Sequence, residues 1–127
     1  MLRNDFKRLS EGKEFIIATD FDDTLVRAKE FPEFSSRTFW FYVLRYIQRK
    51  YSNVRVILFT CREGKYLDDA VNFCRKHSLT FDAVNEDIPS SIEWKGKSRK
   101  PFAHIYVDDR NTGIGEAVKK ICREARK

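Results

Sequence analysis

The stretch Glu14–Leu25, EFIIATDFDDTL, decides how this chain is read. Its first half, Glu14–Thr19, is a near-continuous apolar run. Continuous rather than alternating hydrophobicity predicts a strand buried on both faces. Its second half places Asp20, Asp22 and Asp23 directly where that strand ends, followed by Thr24.

Working outward, three more short apolar runs follow: Val54–Thr60 (VRVILFT), Phe81–Val84 (FDAV) and Ala103–Val107 (AHIYV). Amphipathic helices are predicted between and after them. Ser35 or Ser36 can cap a helix running to about Lys50, with Phe39, Val43 and Ile47, and Trp40 and Leu44, at i+4 spacing. A second helix over about Lys65–His77 places Leu67, Ala70, Val71 and Cys74 on one face. A third, about Thr112–Arg126, carries Ile114, Ala117, Val118, Ile121, Cys122 and Ala125 in one stripe, and residues 2–11 can form a short extra helix. This alternation predicts an α/β fold: a Rossmann-like three-layer arrangement with a central, mainly parallel sheet of about four strands and right-handed crossovers. Ligands of such sheets bind beyond the carboxyl ends of the strands, at the switch point of strand order.

The chain's 127 residues fit a single domain over 1–127. No apolar run approaches the ~18 residues of a membrane span. The N-terminus lacks the apolar core of a secretory signal. Cys61, Cys74 and Cys122 are widely spaced and odd in number, which argues against a disulfide framework or a structural zinc. A reduced, cytoplasmic protein with no membrane partner is expected. The net charge of +6 is compatible with an anionic partner, such as nucleic acid or a phosphorylated metabolite.

The predicted carboxyl edge gathers a distinctive set. Asp20, Asp22, Asp23 and Thr24 follow the first strand, Thr60, Cys61 and Arg62 the second. Lys100 precedes the fourth, and Asp108, Asp109 and Arg110 follow it. Converging carboxylates repel one another unless a cation is present. Hard oxygen ligands suit Mg²⁺, which keeps waters and accepts a phosphate oxygen as a further ligand.

D-x-D-x-T-L after an apolar strand, Thr60 after the next, then Lys100, then Asp108–Asp109 resembles the haloacid dehalogenase-like superfamily of aspartate-nucleophile phosphohydrolases, in its small capless form. The resemblance implies a Mg²⁺-dependent phosphatase acting on a phosphomonoester. Asp20 would be the nucleophile that becomes an aspartyl-phosphate, and Asp22 the general acid and then base. Thr60 would hold phosphoryl oxygens and Lys100 would neutralise charge, with Lys95 and Lys97 as neighbouring alternatives for that role. The metal would be held by Asp20, the Asp22 carbonyl, Asp108 and Asp109, the last directly or through water. Asp23 departs from the pattern, since many members have Gly there.

Arg62 and Arg110 could bind substrate phosphate or act only as salt-bridge residues. His77 and His104 read as structural, Cys61 as a packed thiol, and the aromatic row Phe39–Tyr42 as core and helix-interface packing. There is no room for a cap: one flap-sized loop, Leu25–Glu33, and one helix fill the first interval, and the loop Glu86–Arg99 lies in the second. An open site suits a bulky substrate, such as a polynucleotide end or a protein, or one closed over by the partner subunit of a homo-oligomer; a small phosphorylated metabolite is compatible if the flap and the loop Glu86–Arg99 make a partial lid. Two other readings use the same fold. A receiver-like signalling domain has its Asp, Thr and Lys in a different strand order. A non-catalytic, basic nucleic-acid-binding module would need a base-reading helix or an aromatic motif.

Overall fold

The computed structural model describes residues 7–95 and 101–107. Four parallel strands form the sheet: β1 (Phe15–Thr19), β4 (Val54–Leu58), β5 (Ala83–Val84) and β6 (Ile105–Val107), in the order β5-β4-β1-β6. Every residue of β1 is buried. That follows from its place between β4 (Phe15↔Val54 through Thr19↔Leu58) and β6 (Ile17↔Ile105 through Thr19↔Val107).

The sheet separates two apolar layers. Phe15 and Ile17 face one, with Phe41, Leu44 and Ile47 of helix α1 (Phe39–Lys50) and Ala70 and Cys74 of helix α2 (Gly64–Lys76). Ile16 and Ala18 face the other, with Ile57, Ala83, Ile88 and Ala103. This alternation along one strand makes a three-layer α/β fold. No cap domain interrupts the described residues.

The structure corrects several details. The flap Leu25–Glu33 belongs to a hairpin in which β2 (Val26–Ala28) pairs antiparallel with β3 (Phe34–Arg37). Ser35 and Ser36 are therefore strand residues, and Thr38 is the N-cap of α1. The Thr38 side chain does not cap α1. Its hydroxyl donates to the Thr24 carbonyl, and its N–H donates to the Leu25 carbonyl at 2.9 Å. The start of α1 is thus bolted to the acidic turn.

The segment 86–99 is not all loop, because α3 covers Pro89–Lys95. The third strand is shorter than its apolar run because Asp82 uses its side chain: Oδ2 accepts the Val56 N–H at 2.8 Å. His104 shortens the fourth in the same way, since its Nδ1 accepts the Ile16 N–H at 2.9 Å while its ring stacks on Phe15. Of the N-terminal helix, residues 7–10 are described and helical. The helix predicted over Thr112–Arg126 lies outside the described residues. No helix among the described residues is long and apolar enough to cross a membrane.

Candidate active site

With β4 on one side of β1 and β6 on the other, strand order reverses between β1 and β6. A ligand crevice is expected at that switch point, beyond the carboxyl ends. Asp20 stands there. Its N–H donates to the Val107 carbonyl of β6 at 3.0 Å, and its Oδ1 accepts the Phe21 N–H at 2.7 Å. The carboxylate is half-buried at the edge of the sheet.

The chain then turns sharply. The N–H groups of Thr24, Leu25 and Val26 all point at the Phe21 carbonyl, at 3.2, 2.9 and 3.3 Å. The Phe21 ring is fully buried, edge-on to Phe34 and Phe73, and anchors the turn in the core. Asp23 has φ +59°, a left-handed conformation that glycine adopts freely and Asp tolerates better than most residues. Its Oδ1 accepts the Ala28 N–H at 2.9 Å. The carboxylate thereby ties the turn to β2. Thr24 is buried, and its Oγ1 has no hydrogen-bond partner among the described residues.

Asp22 points to Arg62. Arg62 Nη2 donates to Asp22 Oδ1 at 2.7 Å and Nε to Oδ2 at 2.8 Å, a bidentate pair. The Arg62 side chain is 2% exposed and that of Asp22 31%. The guanidinium also donates to the Pro32 carbonyl at 3.0 Å and to the Tyr66 carbonyl at 3.4 Å. The rings of Phe21, Phe31 and Phe34 surround it at 5.0, 5.1 and 5.6 Å. Such a cage desolvates the cation while its quadrupoles favour it.

Arg62 is therefore a buried strut joining Asp22, the hairpin and the start of α2. It is not an open phosphate ligand, because it is buried and four of its five N–H donors are spent on Asp22 and on two carbonyls. The salt-bridge alternative, left open by the sequence, is the one the geometry takes.

Thr60 lies two residues beyond β4, partly exposed. Its Oγ1 accepts the Arg62 N–H at 3.2 Å, and its N–H donates to Asn85 Oδ1 at 2.8 Å. Asn85 is a residue that the sequence reading missed. It follows β5 directly with φ +54° and also donates its N–H to the Leu58 carbonyl at 2.7 Å. An Asn at a strand end is the available signal, since Asn tolerates this conformation and bridges nearby backbone.

Asp87 was likewise not singled out. It is buried, and its Oδ1 accepts the Phe102 N–H at 2.6 Å, tying down the chain ahead of β6. Lys100, Asp108, Asp109 and Arg110 lie outside the described residues, as do the side chains of Lys95 and Lys97. Among the described residues no group of three or more His, Cys, Asp or Glu is gathered for a metal.

A search of solved structures finds a conserved protein from Bacteroides thetaiotaomicron that is 35% identical, with a TM-score of 0.70, over 88% of this chain and 93% of that one. The chain belongs to that protein's family. The match spans nearly the whole of both chains and shows that they share the fold. No protein-family model matches the chain, and no curated protein does.

Proposed function

We propose that the chain is a Mg²⁺-dependent phosphatase that hydrolyses a phosphomonoester through an aspartyl-phosphate on Asp20. The observation that carries this reading is the position of Asp20. Its carboxylate ends the central strand at the switch point, bonded through its own backbone to the end of β6. In the sequence, Asp108 and Asp109 come immediately after that end.

In the proposed reaction an Asp20 carboxylate oxygen attacks phosphorus in line, and the bond from phosphorus to the leaving alkoxide breaks. For Asp22 to give the alkoxide a proton and later take one from water, one of its two oxygens must first leave the Arg62 fork and carry that proton. That water attacks the aspartyl-phosphate, releasing phosphate and restoring Asp20. Arg62 is a positioning residue: it holds both oxygens of Asp22 and ties them to Pro32 in the hairpin. Thr60, whose backbone N–H donates to Asn85 Oδ1, would hold a phosphoryl oxygen through its hydroxyl.

The donors fit Mg²⁺. With the Asp22 side chain committed to Arg62, its backbone carbonyl is the part left for an ion. The other donors are the carboxylates of Asp20, Asp108 and Asp109, all hard oxygens. Bound there, Mg²⁺ would supply positive charge against the phosphoryl oxygens.

Phosphate release from an aryl phosphate tests the reading. Turnover is expected with Mg²⁺, to stop on chelation, and to be absent in Asp20→Asn. Turnover that survives in Asp20→Asn contradicts it. A small metabolite and a polynucleotide end are both compatible as substrates, in a cytoplasmic setting.

A further inference from the structure

Acidic and basic residues are interspersed along most of the chain, but from Phe34 to Arg62 there is no Asp or Glu at all. That segment holds Arg37, Arg45, Arg49, Lys50, Arg55 and Arg62, and it therefore accounts for the entire net charge of +6. Arg62 is neutralised by Asp22, and Arg55 faces Glu14 at 3.6 Å. The remaining four sit on or beside α1, and none pairs with a carboxylate among the described residues.

The same helix exposes aromatic rings. The sequence predicts packing for the row Phe39–Tyr42, and Phe41 does pack, fully buried. Phe39 is 63% exposed, however, Tyr42 43% and Tyr46 46%. Their spacing of three and four residues puts them on one stripe, spanning about 10 Å along the axis. The guanidinium of Arg37 lies 5.1 Å from the Tyr42 ring and that of Arg45 5.3 Å. Rings exposed in a row on a rigid helix, flanked by uncompensated arginines, are unusual on a surface with nothing to bind.

We propose that this face of α1 binds single-stranded nucleic acid: the rings of Phe39, Tyr42 and Tyr46 stack on bases, and Arg37, Arg45, Arg49 and Lys50 contact phosphates. The charge selects the occupant. A second copy of the chain would set two uncompensated basic faces against each other, whereas a polyanion is complementary. The rings select among polyanions, because stacking needs bases that are not already paired in a duplex. Because α1 starts at the edge where β1 ends, a strand lying along it would reach toward Asp20. The binding itself does not depend on catalysis.

The test is fluorescence anisotropy with a fluorescein-labelled, mixed-sequence single strand of about ten nucleotides. Binding is expected at 50 mM salt. The expected salt slope is about −2 to −3, so that affinity falls roughly 15- to 60-fold by 200 mM salt. Tyr42→Ala should weaken binding about tenfold. Arg49→Gln with Lys50→Gln, both exposed, should flatten the salt slope by about 1.4. The corresponding duplex should bind more weakly.

No binding at low salt overturns the proposal, and so does binding that both variants leave unchanged. It also fails if vesicles containing phosphatidylserine, but not the oligonucleotide, bind in a way that Tyr42→Ala removes. A concentration-dependent dimer lost in Tyr42→Ala, with no oligonucleotide binding, assigns the face to a second copy instead. Because anisotropy needs no turnover, its result stands apart from the phosphatase assay.

Discussion

Both oxygens of Asp22 are held by one buried guanidinium, that of Arg62, at 2.7 and 2.8 Å. The pair joins residues 40 apart in sequence and connects the acidic turn to the loop after β4. Removing Arg62 leaves a partly buried carboxylate unpaired and an aromatic cage empty. Arg62→Met should therefore destabilise the fold by about 3 kcal/mol, the lower end for a broken buried pair, because Asp22 can be partly rehydrated. A double-mutant cycle with Asp22→Asn in chemical denaturation should show coupling above about 1 kcal/mol. Additive losses would mean that the two side chains stabilise the fold independently.

Asp23 offers a separate test of the turn. Asp23→Gly loses the bond to Ala28 but relaxes the left-handed backbone, so its stability should lie within about 1 kcal/mol of the parent. Asp23→Ala loses the bond and keeps the strain, and should cost about 2 kcal/mol. Equal melting temperatures for the two variants would show that the positive φ does not govern this position.

The thiols should differ sharply. Cys74 is fully enclosed between α2 and the sheet, and burial pushes its thiol from 9.0 up to about 12. Cys61, which the sequence predicts to be packed, is instead exposed beside Thr60. A thiol reagent at pH 8 should modify Cys61 in the folded protein and Cys74 only after denaturation. The folded state keeps the Cys74 proton longer than the unfolded chain does. This contribution to stability is complete below pH 9 and is lost progressively as pH rises toward about 12. Melting curves across that range check the sign; a stability that rises there would contradict it.

Asp22→Asn should separate the two half-reactions. With an aryl phosphate the leaving group departs without much need for a proton, so phosphorylation of Asp20 should continue. Hydrolysis of the intermediate still needs a base and should slow about 10²-fold or more. Rapid-quench kinetics should show a burst followed by slow turnover. Equal slowing of both steps would assign Asp22 to structure, through Arg62, and not to proton transfer.

The sheet was legible in the sequence because a strand buried on both faces leaves an uninterrupted apolar run. Phe15–Thr19 is such a run and Val54–Leu58 is one broken only by Arg55, and Asp20 follows from where the first one ends. The hairpin was not legible. Its strands are short and half exposed, and Ser35 and Ser36 look like caps until β2 pairs with them. Nor does sequence reveal that Arg62 is buried, since an arginine after a strand is ordinarily at the surface. Its cage comes from Phe21, Phe31 and Phe34, which lie at least 28 residues earlier and meet it only through the fold. Asn85 escaped notice because its role is set by a backbone angle, which composition does not carry.

The account's central claim is that Asp20 is the nucleophile. Its most direct test is mass spectrometry of peptides from protein acid-quenched during turnover of an aryl phosphate with Mg²⁺, using Asp22→Asn to prolong the intermediate. A phosphoryl group on Asp20, absent when Mg²⁺ is chelated, is the predicted result. Turnover without phosphorylation of Asp20, or with the label on another residue, would contradict the account.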